Sequence, residues 1–139
     1  MRRPQTKQGG FSLIEVLIAI LIFSIGVLAL IALQVTSVRQ SSNAKYRSDA
    51  ALLVNRLIGE MWVSDRVTTT MQTNFNTGGA SYTTWAGAVQ AQLPGSTGAN
   101  APTVVVANDG RVTINVFWKA PNEQASDPVH NYIAIARVR

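Results

Sequence analysis

Residues 11–35 (FSLIEVLIAILIFSIGVLALIALQV) form a run of 25 residues with one ionisable side chain, Glu15. As a helix such a run is about 37 Å long, enough to cross a hydrocarbon core of ~30 Å with some tilt. No other stretch approaches this length, so a polytopic transporter is excluded. Roughly 100 residues follow, room for one modest core and not for a multidomain enzyme. The run is preceded by MRRPQTKQGG, with Arg2, Arg3 and Lys7 and no acid. Positive charge ahead of an apolar segment stays on the cytoplasmic side while the segment enters the membrane. A secretory signal would have a shorter apolar core and a small-residue cleavage site after it. Here the Gly9-Gly10 pair lies before the run instead.

Charge and composition remove further function classes. The formal net charge is +5, but three of the twelve basic residues are in the leading segment, and the remainder is nearly balanced against seven acids. That is no nucleic-acid footprint. There is no cysteine and one histidine, His130. Disulfides, thiolate chemistry and imidazole zinc clusters are therefore unavailable.

Glu15 is the costly residue. A carboxylate at the centre of a membrane helix costs about 2.5–3.5 kcal/mol, less near an end, and calls for a cationic partner. Cleavage after Gly10 would make Phe11 the new amino terminus. Its α-amino group would then lie one helical turn from Glu15, free to meet that acid in its own chain or a neighbour.

The residues Gly10-Phe11-Ser12-Leu13-Ile14-Glu15, with the basic leader before and the long apolar helix after, resemble the class III signal of type IV pilins and type II secretion pseudopilins. The resemblance implies cleavage between Gly10 and Phe11 by a prepilin peptidase and N-methylation of Phe11. It also implies that Glu15 neutralises a neighbouring amino terminus during filament assembly. Ile22-Phe23-Ser24-Ile25-Gly26, Leu28 to Gln34 and Arg47-Ser48-Asp49-Ala50 are most similar to PilV-like minor pilins (type IV pilus modification proteins). Ala32 stands where many major pilins have proline, and no cysteine exists to close a carboxy-terminal loop. Both departures point away from a major pilin. The implied partners are other major and minor pilins, the prepilin peptidase, the inner-membrane assembly platform, and lipid before assembly. The implied location is the inner membrane, with the head in the periplasm, and then the surface filament. Adhesion and twitching motility are the processes such a subunit serves. A minor pseudopilin of type II secretion is the alternative. The resemblance divides the chain into a leader (1–10), a transmembrane and assembly helix (11–35) and a head (36–139).

Beyond the apolar run no proline interrupts the chain through residue 62. Ala50, Leu53, Leu57 and Met61, widened by Val54 and Ile58, recur at spacings of three and four, with Arg56 and Glu60 on another face. One continuous helix is expected, apolar all round and then one-faced. Residues 63–79, rich in Thr, Asn and Gly, predict an irregular exposed connection. Trp85, Ala88, Val89 and Leu93 predict a short helix stopped by Pro94-Gly95, and residues 96–102 a loop. Val104 to Ala107, the turn chemistry of Asn108-Asp109-Gly110, and alternation of Val112, Ile114, Val116 and Trp118 predict a hairpin facing the helix, with Phe117 on the other face. Residues 121–130 read as a polar loop and 132–138 as a third strand. The expected fold is α+β: a long amino-terminal helix, half transmembrane and half amphipathic, on a small antiparallel sheet of about three strands, which is pilin-like.

No catalytic constellation emerges, and no enzyme activity, cofactor or metal is expected. His130, with Asp127 three residues away, reads as a solvated loop residue. The acids lack metal-loop spacing. Trp62 and Trp118 read as core, while Trp85 is left open. Lys119, Arg137 and Arg139 suggest a small basic sheet edge. DNA binding is a conceivable further role, with three charges as thin support.

Overall fold

The structure, a computed structural model, describes residues 12–138. Helix α1 spans Leu13–Val63, α2 Thr68–Phe75 and α3 Ala80–Gln92. A single helical turn at Gly98–Asn100 leads into strands β1 (Thr103–Val106), β2 (Arg111–Trp118) and β3 (His130–Arg137). The fold is the expected α+β arrangement, with the second half of a long amino-terminal helix packed with a three-stranded antiparallel sheet. The chain divides into two compact units at Val38/Arg39.

The first unit contains the beginning of α1. Every described residue through Val38 is exposed, including Leu13, Ile14, Leu17, Leu21, Phe23, Leu28 and Leu33. Such an all-apolar helix needs a medium other than water. Two of its hydroxyls are bonded back to the helix: Ser24 Oγ donates to the Ile20 carbonyl at 2.7 Å and Thr36 Oγ1 to the Ala32 carbonyl at 3.1 Å. A hydroxyl bonded one turn back adds no unpaired polar group to lipid.

In the second unit α1 buries Ala50, Leu53, Val54, Leu57 and Met61, the stripe that the spacing predicts. Arg56 Nε meets Glu60 Oε1 at 3.1 Å one turn apart on the exposed side. Trp62 corrects the sequence reading. It is 46% exposed, because Met61 holds the inward position and the next residue is turned ~100° away.

Residues 63–79 also correct it. They are not an irregular connection, since α2 buries Met71 and Phe75, four residues apart. Thr and Asn have modest helix propensity, and burial of this one apolar pair overrides it. Helix α3 starts five residues before Trp85, after Gly79, and turns Tyr82, Trp85, Ala86 and Val89 inward. Gly79 has little choice of replacement, because a Cβ there would run into the carbonyls of Asn74 and Thr73. The buried Tyr82 hydroxyl donates to the Pro102 carbonyl at 2.6 Å, and Trp85 Nε1 to the Leu53 carbonyl at 2.9 Å. Trp85, left open by the sequence, is thus core.

The sheet order is β1-β2-β3 with both pairs antiparallel. The β1–β2 turn closes through Gly110 N–H to the Ala107 carbonyl and Ala107 N–H to the Arg111 carbonyl, at 3.0 and 2.8 Å. Gly110 has φ +78°, a conformation that glycine adopts without strain. Val112, Ile114, Val116 and Trp118 are buried. Strand β3 begins two residues earlier than the sequence suggests, and Tyr132 and Ala134 pack against the core.

Candidate functional site

Two places carry the chemistry-bearing residues, and they are described separately. In the amino-terminal unit Glu15 lies in the first turn of α1, its N–H bonded to the Ser12 carbonyl at 2.9 Å. Glu15, Val16, Ala19, Ile20 and Phe23 line a shallow concavity along one side of the helix. Glu15 is exposed, on the side of the helix that carries these apolar side chains. Gly10 and Phe11, the expected cleavage and N-methylation residues, lie outside the described residues.

In the head, His130 gathers a polar cluster that the sequence reading missed. It is no solvated loop residue. It opens β3, stacks on the Trp118 ring with centroids 5.8 Å apart, and brings Nε2 to 2.7 Å from Glu123 Oε1. Because the carboxylate accepts, Nε2 carries the proton in this contact. Asn43 Nδ2 of α1 donates to the same oxygen at 3.1 Å, and the Ala120 N–H donates to Glu123 Oε2 at 3.1 Å. The Glu123 side chain is only 8% exposed. Burial pushes its carboxyl up, but the bonds from His130, Asn43 and Ala120 outweigh that and hold it below the ordinary glutamate range. Asp127 is not the partner of His130. It caps the Gln124 N–H at 2.8 Å. The cluster is a clamp tying the β2–β3 connection to α1. Its members lie 80 residues apart in the chain, so no local pattern announces it.

The expected basic edge does not assemble. Lys119 Nζ donates to the carbonyls of Ala125 and Asp127 at 2.7 and 2.8 Å, which fixes the same connection. Arg137 lies 3.6 Å from Asp109, and Arg139 is outside the described residues. The Asp109 carboxyl is held down chiefly by the Arg111 N–H it accepts, with Arg111 and Arg137 adding to it. Burial raises the Tyr82 phenol. Among the described residues no group of three or more His, Asp or Glu side chains is placed to hold a metal ion.

The family model for the prokaryotic N-terminal methylation motif matches residues 5–31. Comparison with curated proteins and with solved structures gave no match. The matched segment takes in Gly10, Phe11 and Glu15 and runs into the exposed part of α1, which is long and apolar enough to cross a membrane. Over those residues the chain is similar to type IV prepilin-like proteins, which carry this motif.

Proposed function

We propose that this chain is a minor pilin for assembly or modification of a type IV pilus. The observation that supports it best is the methylation motif at residues 5–31 leading into a helix with no buried residue up to Val38 and a lone carboxylate at Glu15. The precursor lies in the inner membrane by α1, with its head in the periplasm. Prepilin peptidase cuts after Gly10, and Phe11 is N-methylated. The new ammonium gives Glu15 its counter-charge. Two unit charges ~4 Å apart attract by about 4 kcal/mol at an effective dielectric of 20, the order of the cost of holding the acid in lipid. The helix then leaves lipid for a bundle of other pilin helices. That exchange changes apolar burial little, so close packing and the charge pair drive it. The subunit is structural and not catalytic, and energy comes from a separate assembly motor.

The test is the mass of the amino-terminal peptide from sheared pili. A peptide starting at methylated Phe11 is expected, and an intact Met1 in assembled material would refute the reading. Glu15→Ala is expected to be cleaved normally yet depleted from filaments. Equal recovery of this variant would remove the charge pair from the mechanism. If deletion stopped protein secretion and left pili intact, the chain would be a minor pseudopilin instead.

A further inference from the structure

Glu15 stands in the apolar run of the uncut chain, where no Phe11 amine exists to meet it. From Ser12 through Val38 the sequence holds no lysine or arginine. Arg2, Arg3 and Lys7 belong to the segment ahead of the run, which stays in water on the cytoplasmic side. Before cleavage the acid therefore has to be matched by groups that the start of α1 itself supplies.

A helix leaves its first backbone N–H groups without an intrahelical acceptor, and that end carries a partial positive charge. Helix α1 begins at Leu13. The Ser12 carbonyl accepts from the Glu15 N–H at 2.9 Å and from the Val16 N–H at 3.4 Å. Ser12 is thus the cap residue and Glu15 the third residue of the helix. Water satisfies such N–H groups in a soluble protein, and lipid cannot. Leu13, Ile14 and Val16 have no side-chain acceptor to offer. Ser24, the next polar side chain along the run, is far up the helix and already bonded to the Ile20 carbonyl. The acceptors within reach are the Ser12 hydroxyl and the Glu15 carboxylate.

We propose that Ser12 and Glu15 form a capping box in the uncut chain. The Ser12 hydroxyl accepts from the N–H of Ile14 or Glu15, and the Glu15 carboxylate turns back to accept from the Ser12 N–H. Serine followed three residues later by glutamate, at the head of an apolar run, is the sequence form of that arrangement. The backbone half of it is in place, and the Glu15 side chain is exposed, with nothing packed over it to stop the turn. The acid is then matched by donors of its own chain from the moment of insertion. The Phe11 ammonium becomes its second partner and not its first. Ser12 is a positioning residue that acts through Glu15. This role rests on the membrane setting proposed above for α1, and not on cleavage.

The experiment uses the full chain with residues 1–10 attached, in detergent micelles, read residue by residue by NMR. The Ser12 amide proton resonance is expected to move as the Glu15 carboxyl is titrated, and to stand still in Glu15→Gln. Amide exchange at Ser12 is expected to quicken about fivefold or more in Glu15→Ala, the factor that loss of a helix cap gives. Glu15→Gln keeps an acceptor and should exchange near the wild-type rate. Ser12→Ala should quicken exchange at Ile14 and Glu15, with Ser12→Thr near wild type. Alanine is the better helix former at both positions, so a role through propensity alone gives the opposite sign. A Ser12 resonance indifferent to the titration, or exchange unchanged or slowed in Glu15→Ala, would overturn the proposal. Loss of the Ser12 response when Arg2, Arg3 and Lys7 are all replaced by glutamine would overturn it too, by making a leader cation the partner. None of these readouts involves cleavage or assembly, so their failure is distinct from that of the pilin reading, which the amino-terminal peptide mass tests.

Discussion

Glu123→Gln tests whether the clamp on α1 contributes to stability. Glu123 accepts from His130 Nε2, Asn43 Nδ2 and the Ala120 N–H at 2.7, 3.1 and 3.1 Å. Glutamine keeps the size but makes one end of the group a donor. Placed toward His130 and Asn43, the new NH₂ confronts two donors; placed toward Ala120, it confronts one. The second arrangement is the milder, losing one bond and turning two charge-assisted bonds into neutral ones. A neutral bond contributes about 0.5–1.5 kcal/mol and one to a charged group about 1.5–3. Relief of the buried charge offsets part of the loss. The expected net cost is about 1–2 kcal/mol, or roughly 5–15 °C in Tm for a domain of this size. Unfolding of the full chain in micelles, followed by fluorescence, reads it through the buried Trp85 and Trp118. The pH dependence gives the sign. The carboxyl is held below its ordinary value of 4.5 in the folded state. Its contribution is therefore complete above that value and is lost as pH falls through the folded pKa. Wild type should lose stability more steeply than Glu123→Gln below about pH 4.5, until the two curves meet. A change within about 0.5 kcal/mol at pH 7, the range of an ordinary surface substitution, with parallel pH curves would refute the clamp.

Three further substitutions probe α2, α3 and the junction between them. Met71→Ala is expected to cost about 2–4 kcal/mol by denaturant midpoint, because α2 buries this side chain; an exposed connection would give about 0.5 or less. Gly87→Ala, within α3 and with open space around the added methyl, should stabilise by about 0.5–1 kcal/mol. Gly79→Ala should instead lower Tm, since its methyl meets the carbonyls of Asn74 and Thr73.

What the sequence shows and what it hides divides by range. The stripe from Ala50 to Met61, the Asp109-Gly110 turn and the alternation of β2 are local periodicities, and each is present in the fold. The motif at Gly10, Phe11 and Glu15 is equally legible, because a linear signal needs no tertiary structure to be read. Helix α2 was hidden because only Met71 and Phe75 carry its apolar face, and their burial depends on other elements. The place of His130 was hidden for the same reason. Its surroundings are built by Glu123, Asn43 and Trp118, and Asn43 is 80 residues from Glu123. Read from its neighbours alone, His130 is a solvated loop residue; the structure places it at the start of β3 against Glu123 and Trp118.

The clamp also fixes where the head takes hold of α1. Residues of the helix before Ser42 are all exposed, and Asn43 bonds Glu123. Between the apolar run and the buried stripe lie Thr36, Ser37, Arg39, Gln40 and Ser41, which suit neither lipid nor a core. An isolated helix of that length is marginal in water. Here it need not nucleate, because helix is already fixed on the carboxy-terminal side by burial of Ala50, Leu53 and Val54. Asn43 is the first side chain there that bonds a distant part of the head. Weakening Glu123 should therefore let the helix fray from Asn43 toward Ala50, and amide exchange over residues 43–50 should quicken in Glu123→Gln before any global unfolding.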